Sequence, residues 1–486
     1  MIDYCEQFRP QFHFTPQKNW MNDPNGLVYY DGYYHLFYQY YPDDIIWGPM
    51  HWGHAISIDL INWKHKPIAL FPDKHGYIFS GSTVVDINNS TEFGSKKNPP
   101  LVAVFTYHSI NLERSGTNNY QTQGIAFSLD KGNTWIKYAN NPVIENTGIK
   151  DFRDPKVFFH NETNQWVMAL VAGDHVKFFN SSNLKNWKYL SDFGKEFGAH
   201  GGVWECPDLF KLKISNTNEE KWVLLISINP GAPNGGSGTQ YFIGNFDGKR
   251  FTVEHEDIKW IDLGSDNYAA ITYNNEPNNK RILMGWMSNW LYGQKTPTKT
   301  WRGAMTLPRE LSLTKENNTV FLRNVLITSF DKQIRQILEK DYIYLKDGFK
   351  LEHTNFNQTE IRFDLNLSKG IRIELENNKK EILIFEIDSS KKEMILDRKN
   401  SGIKDFEEQF AKHIHILPYY LCDKVVDIRI ILDWSSVEIF IDQGKYVMTE
   451  QIFPTEFYNK LQISSKEKVR IENFKLNHIK SIWNDE

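Results

Sequence analysis

The sequence predicts an all-β protein, a five-bladed β-propeller followed by a β-sandwich, on three observations. Short runs rich in β-branched and aromatic residues, bounded by Gly, Asn, Asp and Pro, continue through nearly all 486 residues, and helical periodicity is scarce. A loose repeat fills the first two thirds of the chain. Beyond about residue 341 the runs alternate apolar with polar, as in IRIELE at Ile371 and SVEIFI at Ser436, which suits two facing sheets.

The repeat has three elements. A very apolar run occurs five times, at Tyr33, Leu101, Trp166, Trp222 and Arg281, and reads as a buried middle strand. A polar turn closing on a large aromatic residue occurs four times, ending at Trp63, Trp135, Trp187 and Phe251. The third element precedes each apolar run: DPNGLVYY at Asp23, SGSTVVDI at Ser80, DPKVFF at Asp154, ECPDLFKL at Glu205 and NYAAITY at Asn267. Five such units are what a five-bladed propeller requires, and a large sandwich or barrel is the rival arrangement. If the third element is the innermost strand, Asp23, Asp154 and Glu205 meet at one end of a central channel. The expected boundaries are a propeller over 1–324, a linker over 325–340 in which the stretch from Val325 reads as a short helix, and a sandwich over 341–486.

Composition narrows the function. A net charge of -4 gives no broad cationic surface, which argues against nucleic acid and for a neutral substrate. No apolar stretch approaches the roughly 20 residues of a membrane helix, and MIDYCEQFRPQFHF lacks the apolar centre of a signal peptide, so cytoplasmic residence is expected. A mature secreted enzyme carrying a new initiating Met would look the same. Cys5, Cys206 and Cys422 are odd in number and far apart, suggesting neither a disulfide framework nor a metal cluster. Aromatic residues make up 14% of the chain, and many Trp and Tyr sit beside Asp, Asn and Gly, a placement that suits sugar binding although any single Trp is more simply a core residue. Oligomeric state is not legible.

Glycosidic cleavage needs one carboxyl group to protonate the leaving oxygen and a second to attack or stabilise the sugar cation. Asp23 in NWMNDPNG and Asp154 in FRDPK each read alone as turn residues, with Arg153 placed to hold a carboxylate or a hydroxyl. Glu205 stands between Trp204 and Cys206, surroundings expected to bury it and raise its pKa, as suits a general acid.

Taken together, WMNDPNG at Trp20, FYQYYP at Phe37, WGPMHWGHAIS at Trp47, FSGS at Phe79, FRDPKV at Phe152, WECPDLF at Trp204, GWMSNW at Gly285, WRGAMTLPREL at Trp301 and LDWSSVEIFIDQG at Leu432 resemble, in order, the signature series of the invertase and levanase family of glycoside hydrolases, family thirty-two. The resemblance spans essentially the whole chain and is closest to bacterial levanases. It implies a propeller and a sandwich, no cofactor and no metal. It also implies Asp23 as nucleophile, Glu205 as acid and base, and Asp154 as the carboxylate that holds sugar hydroxyls. Trp20, Met21, Asn22, Gln39, Trp47, Phe79, Ser80, Arg153 and Trp301 would then line a fructose pocket. His51 and His54 fall in a family motif and are expected to be structural. Trp434 departs from the pattern, where Arg is usual. The implied activity is retaining hydrolysis that frees terminal fructose from levan, inulin and sucrose. Rivals are a sucrose or sucrose 6-phosphate hydrolase, for which Lys295 and Lys299 are the available cations, and a sugar-binding protein without catalysis.

Overall fold

The computed structural model describes residues 4–420 and 424–483, so Cys422 lies outside the described residues. The protein is all-β. Among the described residues, the first two thirds form five antiparallel sheets in chain order, each opened by one copy of the third repeat element: Asn19–Tyr30, Tyr77–Val85, Phe152–His160, Val203–Lys213 and Tyr268–Thr272. The apolar runs are the second strands. Leu101–His108, for instance, is buried at every position, because neighbouring sheets cover both of its faces. The polar turns join third to fourth strands: Ser128, Asp130 and the backbone of Gly132 and Thr134 bond one another there, and Trp135 donates its indole N–H to the Gly132 carbonyl at 3.2 Å.

Each opening strand contacts the next, and the fifth contacts the first, so the five form a closed ring. Trp301–Arg302 completes the first sheet by pairing in parallel with Asn19 and Trp20.

The opening strands share one irregularity. In each, two residues oppose a single residue of the second strand: Asn22 and Asp23, Phe79 and Ser80, Asp154 and Pro155, Cys206 and Pro207, Ala269 and Ala270. Such bulges twist a strand and re-aim its side chains. Asp154, Cys206 and Ala269 accordingly adopt positive φ at 66°, 47° and 52°. Gly26 follows the first bulge at φ +54°, where a Cβ would lie 2.6 Å from Thr83 Oγ1 and 2.8 Å from Phe37, so only glycine fits.

The last third is a sandwich of two six-stranded sheets around one apolar core that includes Ile361, Ile373, Phe385 and Ile463. The expected linking helix is absent: Thr328–Gln333 is a 3-10 turn, and Ile334–Tyr344 is a strand at one edge of the sandwich, paired with Arg470–Ile479. Strand Ser436–Ile441 is buried on both faces, since Val437, Ile439 and Ile441 enter the sandwich core while Phe440 packs against the ring of sheets.

Glu438, on that second face, accepts from Arg309 at 2.5 Å and His13 at 2.7 Å; His13 also bonds Asp433 at 2.7 Å, and Arg309 bonds Asp262 at 2.9 Å. These charges are buried yet paired with opposite charges, so the seam holds one geometry. Burial alone would lower His13, but Asp433 and Glu438 outweigh it and raise the imidazole to about 9. Burial would raise Glu438, but Arg309 and His13 bring it down to about 2. The His13 contribution is therefore present below pH about 6.5 and lost as pH rises through about 9, and that of Glu438 is lost as pH falls toward 2. His13→Gln should lower unfolding free energy at pH 6 by about 3 kcal/mol. In denaturant titrations the gap to the parent protein should narrow above pH 9, and a gap independent of pH would contradict the assigned charge state.

Candidate active site

The bulges of the first three opening strands, and Glu205 beside the fourth bulge, face one end of the ring, where a cleft of about 270 Å³ opens. Its walls include Asn22, Asp23, Gln39, Trp47, Phe79, Ser80, Arg153, Asp154 and Glu205, all expected from sequence. Asp23 accepts from Ser80 Oγ at 2.7 Å and from Asn22 Nδ2 at 3.0 Å. Asp154 accepts from the Cys206 backbone N–H at 3.0 Å, and the Cys206 thiol lies 3.7 Å from both Asp23 and Asp154. Arg153 reaches Glu205 at 2.9 Å and Asp151 at 2.7 Å, and stands 4.0 Å from Asp154. Tyr268 donates its hydroxyl to the other Glu205 oxygen. Phe79 stacks on His108 at 4.2 Å and meets Trp47 edge-on at 6.1 Å, forming an aromatic wall.

Burial, then the charge of Glu205, pushes Asp23 up to about 6 against the hydrogen bonds from Ser80 and Asn22. Burial also raises Asp154, to about 7, with Glu205 and Asp23 adding to it and Arg153 opposing. Burial holds the Cys206 thiol well above its usual range, so it remains a neutral donor.

The burial expected of Glu205 is a misreading. Trp204 and Cys206 are buried, but Glu205 turns the opposite way and faces the cleft, with its side chain 18% exposed. Trp20, Met21 and Trp301 do not line the cleft either. Trp20 is enclosed behind it against Trp286 and Trp290, donating its indole N–H to Asn22 at 2.7 Å. Met21 is buried in the same core, and Trp301 lies under the Arg9 guanidinium at 4.4 Å. These three back the wall because they precede or pair outside the bulge that turns Asn22 and Asp23 inward.

The sequence reading missed His108, Glu113, Tyr120, Gln121, Asp151, Trp290 and Gln294, which also line the cleft, and Tyr268. Two of these carried a signal: Tyr268 in the fifth copy of the opening-strand element and Trp290 in the GWMSNW motif. His54 stacks on Phe37 at 4.3 Å and lies 3.1 Å from His35, while His51 bonds the Pro49 carbonyl at 2.9 Å. Among the described residues no three His, Cys, Asp or Glu side chains are grouped to hold a metal ion.

Two carboxylates facing a blind cleft beside a third, with aromatic walls, are the equipment of a glycosidase. The chain belongs to glycosyl hydrolase family 32: residues 13–323 match that family's N-terminal domain and residues 335–478 its C-terminal domain. It is 43% identical to a levanase of Bacillus subtilis over 497 residues, covering 99% of this chain and 72% of that protein. It is 39% identical to an extracellular exo-inulinase of Aspergillus awamori over 526 residues, covering 99% of this chain and 96% of that protein. The crystal structure of exo-inulinase from Aspergillus awamori superposes with a TM-score of 0.91 at 37% identity, covering 99% of this chain and all of the other.

The raised Asp154 carboxyl has a cost in stability. Its charged form is disfavoured by folding, so the cost is absent below pH about 3.8 and grows as pH rises through about 7. Asp154→Asn should therefore raise the unfolding free energy at pH 7.5 by on the order of 1 kcal/mol or more, and the thermal midpoint with it, the advantage vanishing near pH 3.5. Calorimetry across that range checks it, and a variant less stable than its parent at pH 7.5 would refute it.

Proposed function

We propose that this chain is a retaining fructan exo-hydrolase that releases terminal β-D-fructose from levan and inulin and also cleaves sucrose. One observation carries the reading: the cleft of about 270 Å³ lies just below the usual span of ligand pockets, about 300–1,000 Å³, and so takes one sugar ring with its carboxylates around it. The rest of the substrate points outward. Any leaving group that fits the mouth is then accepted, which suits both a polymer end and sucrose.

In the proposed mechanism Asp23 attacks the anomeric carbon while Glu205 gives its proton to the departing oxygen. Glu205 then takes a proton from water, which releases fructose from Asp23. Asp154 holds ring hydroxyls, and Arg153 and Tyr268 fix the Glu205 carboxyl. Asn22, Gln39, Trp47, Phe79 and Ser80 form the fructose walls, with Trp20, Met21 and Trp301 supporting them from behind. No cofactor takes part. The five sheets, whose opening strands form a ring, are read as the blades of a five-bladed propeller over 1–324, and the sandwich follows it. Secretion is favoured over the cytoplasm, in line with relatives described as extracellular. A sucrose 6-phosphate preference finds no support in Lys295, whose ammonium is paired with Glu407.

Asp23→Asn and Glu205→Gln should each lower kcat on sucrose and levan by about 10³-fold or more with unchanged folding, because each removes one half of a two-step displacement. Near-normal turnover in either would end the assignment. The acid limb of kcat/KM should fall near pH 6, where the cluster that includes Asp23 gains a proton, and a limb near pH 4 would contradict the burial argument. On levan and inulin, free fructose should be the product from the first time points, with its anomeric configuration retained by NMR; a ladder of oligosaccharides would overturn the exo reading.

A further inference from the structure

A second, larger pocket of about 540 Å³ lies away from the cleft, where loops at one end of the sandwich meet the N-terminal segment. Thr354, Asn378, Trp434, Phe457 and Asn459 line it from the sandwich, with Gln7 across from them. We propose that it is a non-catalytic binding site for a fructan chain, an inference that rests on the fructan reading above.

Trp434 and Ser435 are the turn between strands Val425–Asp433 and Ser436–Ile441. A two-residue hairpin turn favours small polar residues and gives an indole no core to enter. Trp434 is only half-buried; its ring lies 5.1 Å from Phe457 at 50°, and Phe457 is 38% exposed. An exposed and a half-buried aromatic ring beside one another supply the apolar platform on which the C–H faces of sugar rings pack. A polar acceptor stands beside them. The side-chain oxygen of Asn459, a lining residue, is buried from solvent and accepts no hydrogen bond from the protein. Buried amide oxygens are nearly always satisfied, so this one is left for a hydroxyl donor from a ligand.

The charge balance selects the ligand class. The one carboxylate among the lining residues, Glu456, faces Lys379 at 3.7 Å, and no lining residue is cationic. An anionic sugar or peptide has no partner there, whereas a neutral polyhydroxylated chain does. The pocket is also joined to the cleft. Phe8 lines it, and the adjacent Arg9 packs its guanidinium on Trp301. Arg302, next in sequence, donates to the carbonyl of Gln294, a residue of the cleft wall. A polymer held at the pocket keeps its free ends concentrated near the cleft, an advantage that sucrose cannot share.

The test compares Trp434→Ala and Phe457→Ala with the parent enzyme on sucrose, levan and inulin, with thermal unfolding and sedimentation as controls. KM for both polymers should rise at least about fivefold while kcat/KM on sucrose stays within about twofold. Retardation of Asp23→Asn by levan or inulin in native gels should be lost when either aromatic is also replaced. Should Trp434→Ala unfold, Phe457→Ala, altered at an exposed ring, decides alone. Unchanged polymer KM and retardation would overturn the proposal, and so would a change in oligomeric mass with polymer KM unaltered, which would make the pocket an interface. If the parent cleaves sucrose but neither polymer, and aromatic-dependent retardation persists, the exo-hydrolase reading fails and the binding site stands.

Discussion

Asp23, Asp154 and Glu205 repel one another in surroundings that burial has stripped of most screening water, and Arg153 is the guanidinium that faces them. At an effective dielectric of about 20, two charges about 4 Å apart interact by about 4 kcal/mol, comparable to a large fraction of a domain's net stability. The arrangement persists because each carboxyl is also held by neutral donors: Ser80 and Asn22 for Asp23, the Cys206 backbone and thiol for Asp154, Tyr268 for Glu205. Those donors come from four of the five sheets, so the electrostatics of the cleft are a property of the closed ring and not of any one strand.

The five bulges are how the backbone meets that demand. A regular strand sends successive side chains to opposite faces, so it cannot aim Asn22 and Asp23 into the same cleft. Inserting one residue in every opening strand breaks the alternation where the cleft lies. Below it apolar residues of the strands pack between sheets, with one further bulge at Gly26 and Leu27 in the first strand. The seam with the sandwich then holds the ring from outside, through buried charges contributed by His13, Arg309, Asp433 and Glu438.

The repeat was legible because the second strands are covered on both faces and leave unbroken apolar runs, and because bulge and turn residues such as Asp-Pro and Asn-Gly are chemically distinctive. The segment from Val325 was not. Ile334–Tyr344 is an edge strand with mostly exposed side chains, so burial never imposed a two-residue period on it, and its scattered apolar residues imitate a helix. In the site, motif residues identified the three carboxylates, but the direction of each side chain depends on the bulges, which is why Glu205 was expected to be buried and Trp20 to face the cleft. His108, Tyr120 and Gln121 come from the second sheet and acquire their place only through its packing against the first and third.

The closing strand Trp301–Arg302 and the seam bonds of the N-terminal segment bear on how the chain can be assembled. Asn19 pairs with Trp301, and the backbone of Gln11 bonds the Asp433 carboxylate across a separation of 422 residues. At roughly 5–20 residues per second of synthesis, the first strand therefore emerges many seconds before its permanent neighbours exist. Until then its apolar residues and unpaired backbone stand open to misplaced partners. Completion of the ring waits for Trp301–Arg302 to leave the ribosome, and the seam that braces it waits longer still, for Asp433.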